Sequence, residues 1–182
     1  MGYFTSKDIA VISIGAALWA ILNALISPIF WQLSHMPFLC DFLAFATLIL
    51  IIWLTRKLGS ASLTGFIATV LTLILRPAAF HMLGFVVASI IFDALTRAIG
   101  YENCFKKPFR GSFIVILIST FCSFIGGAII GSLFMALEAL TAIITFAGLH
   151  AFGGLIGGML GVILVRALVI RNVHPLINDA NP

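Results

Sequence analysis

Apolar residues fill this chain in long runs, and the polar residues cluster between them. Runs near 20 residues match the length of helix that crosses a hydrocarbon core. The pattern predicts an all-α integral membrane protein, one compact bundle of six transmembrane helices. The spans fall at about residues 9–30, 38–54, 60–75, 78–95, 111–135 and 147–168. The second and third are short, which leaves them little room to tilt. Pro77 marks the turn into the fourth, and Gly100 to Arg110 reads as the longest polar loop. The stretch from Gly111 to Ile170 has few interruptions. It fits two spans joined around Glu138 and Thr141, or a re-entrant segment between Glu138 and His150. The tail from Asn172 to Pro182 is short and polar.

Charge orients the bundle. An even number of spans puts both ends of the chain on one side. Nine of the ten Lys and Arg residues fall on that side: Lys7, Arg56, Lys57, Arg97, Lys106, Lys107, Arg110, Arg166 and Arg171. Only Arg76, between spans three and four, falls opposite. Cytoplasmic loops are enriched in Lys and Arg, so the expectation is cytoplasmic termini and an outward Arg76.

Composition agrees with a multi-pass protein of the cell membrane. The 182 residues are 62% hydrophobic and only 9% charged, which excludes an ordinary soluble domain. The net charge of +4 reflects the loop cations. No basic run with interleaved aromatics suggests a nucleic-acid groove. Ile9 to Phe30 is longer than the apolar region of a signal peptide and lacks a small-x-small cleavage pattern, so it reads as a retained span. Cys40, Cys104 and Cys122 lie at separate depths and are expected as free thiols.

Small residues repeat at four-residue spacing. Ala16, Ala20 and Ala24 share one face of span one. Gly153, Gly157 and Gly161 share a face of span six, with Gly154 and Gly158 beside them. Such faces let helix backbones approach closely. For the glycines internal packing is the simple reading. The alanine face fits internal packing or docking onto another membrane protein.

The outward half collects Trp31, His35, Asp41, Arg76, His81, Glu138 and His150, with Gln32, Thr141 and Thr145 nearby. Polar groups at membrane depth usually face one another or a cavity. The group predicts a small polar pocket opening outside. For His35, Asp41 and Arg76, contact with headgroups and water is an equal alternative, and Trp31 also suits an interfacial anchor. Asp93 and Arg97, four apart, read as a structural pair, and Asn23 as an interhelical hydrogen bond. Three scattered histidines and two carboxylates match no metal spacing, and no cofactor is expected. The chain has no P-loop, H-E-x-x-H or G-x-S-x-G. An enzyme using Glu138 and a histidine as acid and base is a minor reading.

The chain resembles the substrate-binding S components of energy-coupling factor (ECF) transporters. The resemblance rests on length, six spans, Gly15-Ala-Ala-Leu-Trp-Ala-Ile-Leu-Asn-Ala24 and the glycine-rich last span. Thr55-Arg-Lys-Leu-Gly-Ser-Ala61 and Gly153-Gly-Leu-Ile-Gly-Gly-Met-Leu-Gly161 look most like the types for thiamin and its pyrimidine precursor. The resemblance implies a vitamin-like ligand held under the first outer loop, here Trp31 to Pro37. It also implies docking through Ala16, Ala20 and Ala24 onto a transmembrane coupling subunit, with two cytoplasmic ATPases supplying energy. A membrane sensor or assembly protein with the same fold is the alternative.

Overall fold

The computed structural model describes residues 3–176, and the described residues form helices and their connections only. They are α1 (Ser6–Ser34), α2 (Phe38–Thr55), α3 (Ser60–Leu75), α4 (Met82–Ile99), α5 (Tyr101–Phe105), α6 (Pro108–Ile129) and α7 (Leu140–Ile170), with a π-turn over Ile130–Phe134. Five elements are long and apolar enough to cross a membrane. The sixth crossing element, α3, has 16 residues, about 24 Å at 1.5 Å per residue.

Local chemistry sets the helix ends. Thr5 caps α1, and Asp8 reaches back to the Thr5 backbone at 2.8 Å, a reciprocal capping box. His35 and Arg56 take left-handed conformations and close α1 and α2. Pro108 opens α6, where its missing N–H costs nothing.

The helices close a ring: α1 packs on α2 and α3, α3 on α4, α4 on α6, and α6 on α7, which returns to α2. The glycines of α7 work on two faces. Gly153, Gly157 and Gly161 face α2, and Gly154 and Gly158 face α6. A Cβ on Gly157 would lie 2.8 Å from the Phe42 carbonyl oxygen. These contacts bear out internal packing of the glycine stripe. Asn23 donates to Met82 Sδ at 3.1 Å, the interhelical bond expected of it.

The alanine stripe faces inward too. Ala16 and Ala20 are fully buried, and Ala24 is nearly so. The lipid-side face of α1 carries Ile14, Leu18, Ile21 and Leu25 instead. The docking role expected of Ala16, Ala20 and Ala24 is therefore corrected, because their methyl groups are already covered by this bundle. The Asp93–Arg97 pair is corrected as well. Asp93 accepts from Ser62 N at 3.0 Å and Ser62 Oγ at 2.9 Å, while Arg97 lies over the Tyr101 ring.

Three boundaries differ from the hydropathy reading. Residues 76–81 turn before α4 starts at Met82, so His81 precedes that helix. Helix α5 occupies part of the stretch read as loop. Helix α7 is continuous from Leu140, so the segment 138–150 is not re-entrant; the connection is residues 135–139.

Both described ends of the chain lie at one end of the bundle. Asp8 pairs with Lys57 at 2.6 Å, and the Leu176 amide donates to the Leu54 carbonyl at 2.7 Å. Arg56 and Lys106 both pair with Glu102 there, at 2.5 and 3.3 Å. The basic end is thus tied together across α1, α2, α5 and the final segment.

Candidate ligand-binding site

Helix lengths make a cup at the other end. Helices α1 and α7 have 29 and 31 residues, against 16 to 18 for α2, α3 and α4. The long pair rises around the ends of the short ones. Between them lies a cavity of about 270 Å³. Ser27, Pro28, Trp31 and Gln32 supply the α1 wall. Met36, Pro37, Leu39 and Cys40 come from the start of α2 and the turn before it, and Arg76 and His81 from the turn before α4. Phe85, Ile130, Met135, Phe146 and His150 complete the lining. Ile130 stands in the π-turn, an irregularity often found beside functional sites.

Of the seven residues expected in the pocket, four line it: Trp31, Arg76, His81 and His150. His35 is exposed and caps α1; its ring meets Trp31 edge-on, with centroids 6.1 Å apart. Glu138 is exposed in the connection before α7 and is not among the lining residues. No acid–base pair with a histidine forms there, because α7 carries His150 away from it into the bundle. Ser89 is buried against α3 and donates to the Phe85 carbonyl.

Asp41 stands behind the wall. Its Oδ2 lies 2.6 Å from His150 Nδ1, and Ser123 Oγ hydrogen-bonds to its Oδ1. Ser123 Oγ also lies 2.6 Å from the His150 carbonyl oxygen. All three residues are buried, His150 to 2% exposure. The His150 ring is held between Phe146 and Phe85, with centroids 4.8 and 6.1 Å away. Its Nε2 is buried without a protein partner.

Glycine makes this arrangement possible. A Cβ on Gly127 would lie 2.5 Å from His150 Cβ and 2.7 Å from its Cγ, so only a bare α6 backbone can sit this close. Gly154 likewise admits Ser123. The trio is not arranged for nucleophilic attack. A serine nucleophile must touch the imidazole nitrogen that takes its proton, and Ser123 touches Asp41 and a carbonyl instead.

Ser123 and most apolar lining residues were not read from sequence. The available signal for Ser123 was its four-residue spacing from Ser119, matching Gly154 and Gly158 across the α6–α7 contact. A second cavity, about 390 Å³, opens at the basic end among Lys106, Lys107, Arg166 and apolar residues of α7. Among the described residues no group of three or more His, Cys, Asp or Glu is placed to hold a metal ion. The three cysteines are free thiols.

No family model and no curated protein matches the chain. Among solved structures it is similar to one described as a crystal structure of an S-component of ECF transporter, at 15% sequence identity. The match covers 93% of this chain and 88% of that chain, with a TM-score of 0.72. Along nearly its whole length this multi-pass membrane chain has the fold of that S-component.

Proposed function

We propose that the chain is the substrate-binding membrane subunit of an ECF-type importer. It captures a vitamin or related micronutrient from outside and passes it on with a coupling subunit and two ATPases. The observation that carries this reading is the cavity at the non-basic end, lined by His150, whose Nε2 is buried and has no protein partner. A buried polar atom without a partner costs free energy, and a ligand that satisfies it recovers that cost. The shared fold supports the assignment. The concentration of Lys and Arg at the opposite end supports cytoplasmic termini and an outward cavity.

The lining favours a flat nitrogen heterocycle over a sugar. Trp31, Phe85 and Phe146 offer ring faces or edges, and Arg76 offers a forked donor for an acceptor group. A thiamin-like pyrimidine is the specific candidate. Mass spectrometry of small molecules released from the detergent-purified protein tests the proposal, followed by calorimetry against a vitamin panel. A stoichiometric heterocyclic micronutrient is the expected result. Release of no small molecule, with no heat from any vitamin, overturns the transport role.

A further inference from the structure

The hydrogen atoms at Asp41, Ser123 and His150 can be counted, and the count restricts the ligand. Ser123 Oγ carries one hydrogen but makes two close contacts, to Asp41 Oδ1 and to the His150 carbonyl oxygen. A carbonyl oxygen only accepts, so the hydroxyl hydrogen belongs on that contact. The Asp41–Ser123 contact then needs a hydrogen from the carboxyl group. Asp41 Oδ2 remains an acceptor and receives the hydrogen on His150 Nδ1 at 2.6 Å. Every contact in the chain now holds one hydrogen, and no member carries a net charge. An ionised Asp41 beside a charged imidazole leaves Ser123 with one hydrogen for two acceptors. It also places two charges at sites that are 1–2% exposed.

We propose that Asp41 carries its proton, and that Asp41 and Ser123 fix His150 with a bare lone pair on Nε2 as the acceptor for a ligand N–H or O–H. This rests on the ligand-binding reading of the cavity and deepens it. Asp41 is a positioning residue and does not supply a negative charge to the ligand. Cation selectivity therefore does not come from this carboxylate. A carboxylate or phosphate oxygen at Nε2 would set lone pair against lone pair and is rejected there. The charged or titratable groups lining the rest of the cavity are Arg76, His81 and Cys40. Arg76 has hydrogens only to give. The cavity thus selects a molecule with a donor edge toward α7 and an acceptor edge toward the turn before α4. A ring bearing an exocyclic amine and ring nitrogens has both.

Two measurements on the full chain in lipid nanodiscs test this. The first needs no ligand. Nitrogen NMR of histidine-labelled protein should show His150 neutral and protonated at Nδ1, a signal identified by its loss in His150→Gln. Infrared difference spectra between the native protein and Asp41→Asn should show the carbonyl stretch of a protonated carboxyl. An imidazolium signal, or no such band, overturns the proposal whatever the protein transports. The two readings use different variants, so the infrared band of Asp41 still decides if His150→Gln folds poorly, and the histidine signal still decides if Asp41→Asn does.

The second measurement uses aminopyrimidine and its N,N-dimethyl analogue as probes. Aminopyrimidine should shift the Nε2 resonance, and the dimethyl compound, which has no donor at that position, should not. Equal shifts by both, or none by either, remove Nε2 as an accessible acceptor. Asp41→Asn should keep aminopyrimidine affinity within about threefold, because an amide N–H replaces the carboxyl O–H toward Ser123. Asp41→Ala should lose about tenfold or more. Loss in the Asn variant equal to that in the Ala variant would mean that Asp41 acts as an anion. Failure of the transport role would show separately, as absent vitamin binding with the histidine spectrum intact.

Discussion

The two ends of the bundle treat polar groups in opposite ways. At the basic end, cations meet carboxylates: Arg56 and Lys106 share the exposed Glu102, and the partly exposed Lys57 holds the buried Asp8. These pairs tie helices together. At the other end there are few charges, yet Asp41, Ser123 and His150 converge deep in the protein and leave one nitrogen unpaired. The basic end even has the larger cavity, about 390 against 270 Å³. Size and charge density therefore do not identify the site. The coincidence of a cavity with a buried unpaired atom does: such atoms also occur at the basic end, among them Asp8 Oδ1, Arg56 Nε and the Tyr101 hydroxyl, but of the residues lining the two cavities only His150 carries one.

The sharpest way to break this contrast is to disturb the backbone contact behind His150. Gly127→Leu places a branched side chain where the His150 ring and Cβ now sit. Overpacking of this kind typically costs about 1–3 kcal/mol. We expect a clear fall in thermal stability in detergent and complete loss of bound ligand. Lys107→Gln at the basic end, on an exposed side chain, should do neither. Equal losses from both variants would mean that the two ends do not differ as described.

A finer test compares charged residues for their effect on binding. Arg76 lines the cavity, whereas Glu138 does not and Lys106 belongs to the other end. Arg76→Gln should weaken ligand binding by about 1–3 kcal/mol, the range for a lost charge-assisted hydrogen bond. Glu138→Gln and Lys106→Gln should leave affinity unchanged by calorimetry. A large effect at Glu138 would extend the site to the connection before α7.

Much of the fold was legible because a membrane simplifies the code. Apolar run length identified the crossing segments, and the placement of Lys and Arg separated the ends. Four-residue glycine spacing marked α7 as a packing helix. The site was only partly legible for two physical reasons. Asp41 and His150 are 109 positions apart, and their contact depends on how α2 and α7 meet. Glu138 looked suitable because it is the polar residue of an outer connection. The early start of α7 at Leu140 leaves it exposed there and carries His150 about ten residues, near 15 Å, along the helix. The alanine stripe misled for a related reason. Small residues at four-residue spacing predict a close helix contact, but the spacing does not say whether the partner lies within the chain.

The smallest expected effect probes the basic end directly. Lys106 and Arg56 hold the Glu102 carboxyl below the usual carboxylate range, by hydrogen bonding and by charge. A carboxylate held lower in the folded state adds stability above its unfolded pKa, and that stability is lost as the pH falls through the folded value. Glu102 is 60% exposed, so solvent screens the pairs and the contribution should stay below about 1 kcal/mol. Melting curves in detergent at neutral and acidic pH should show a slight acid destabilisation. Glu102→Gln should remove that component and leave ligand binding untouched, since the cavity lies at the far end. Raised salt should shrink the same component at neutral pH, as screening requires for exposed pairs. A loss of several kcal/mol in Glu102→Gln, or an effect on binding, would show that the basic end is coupled to the cavity rather than only joining helices.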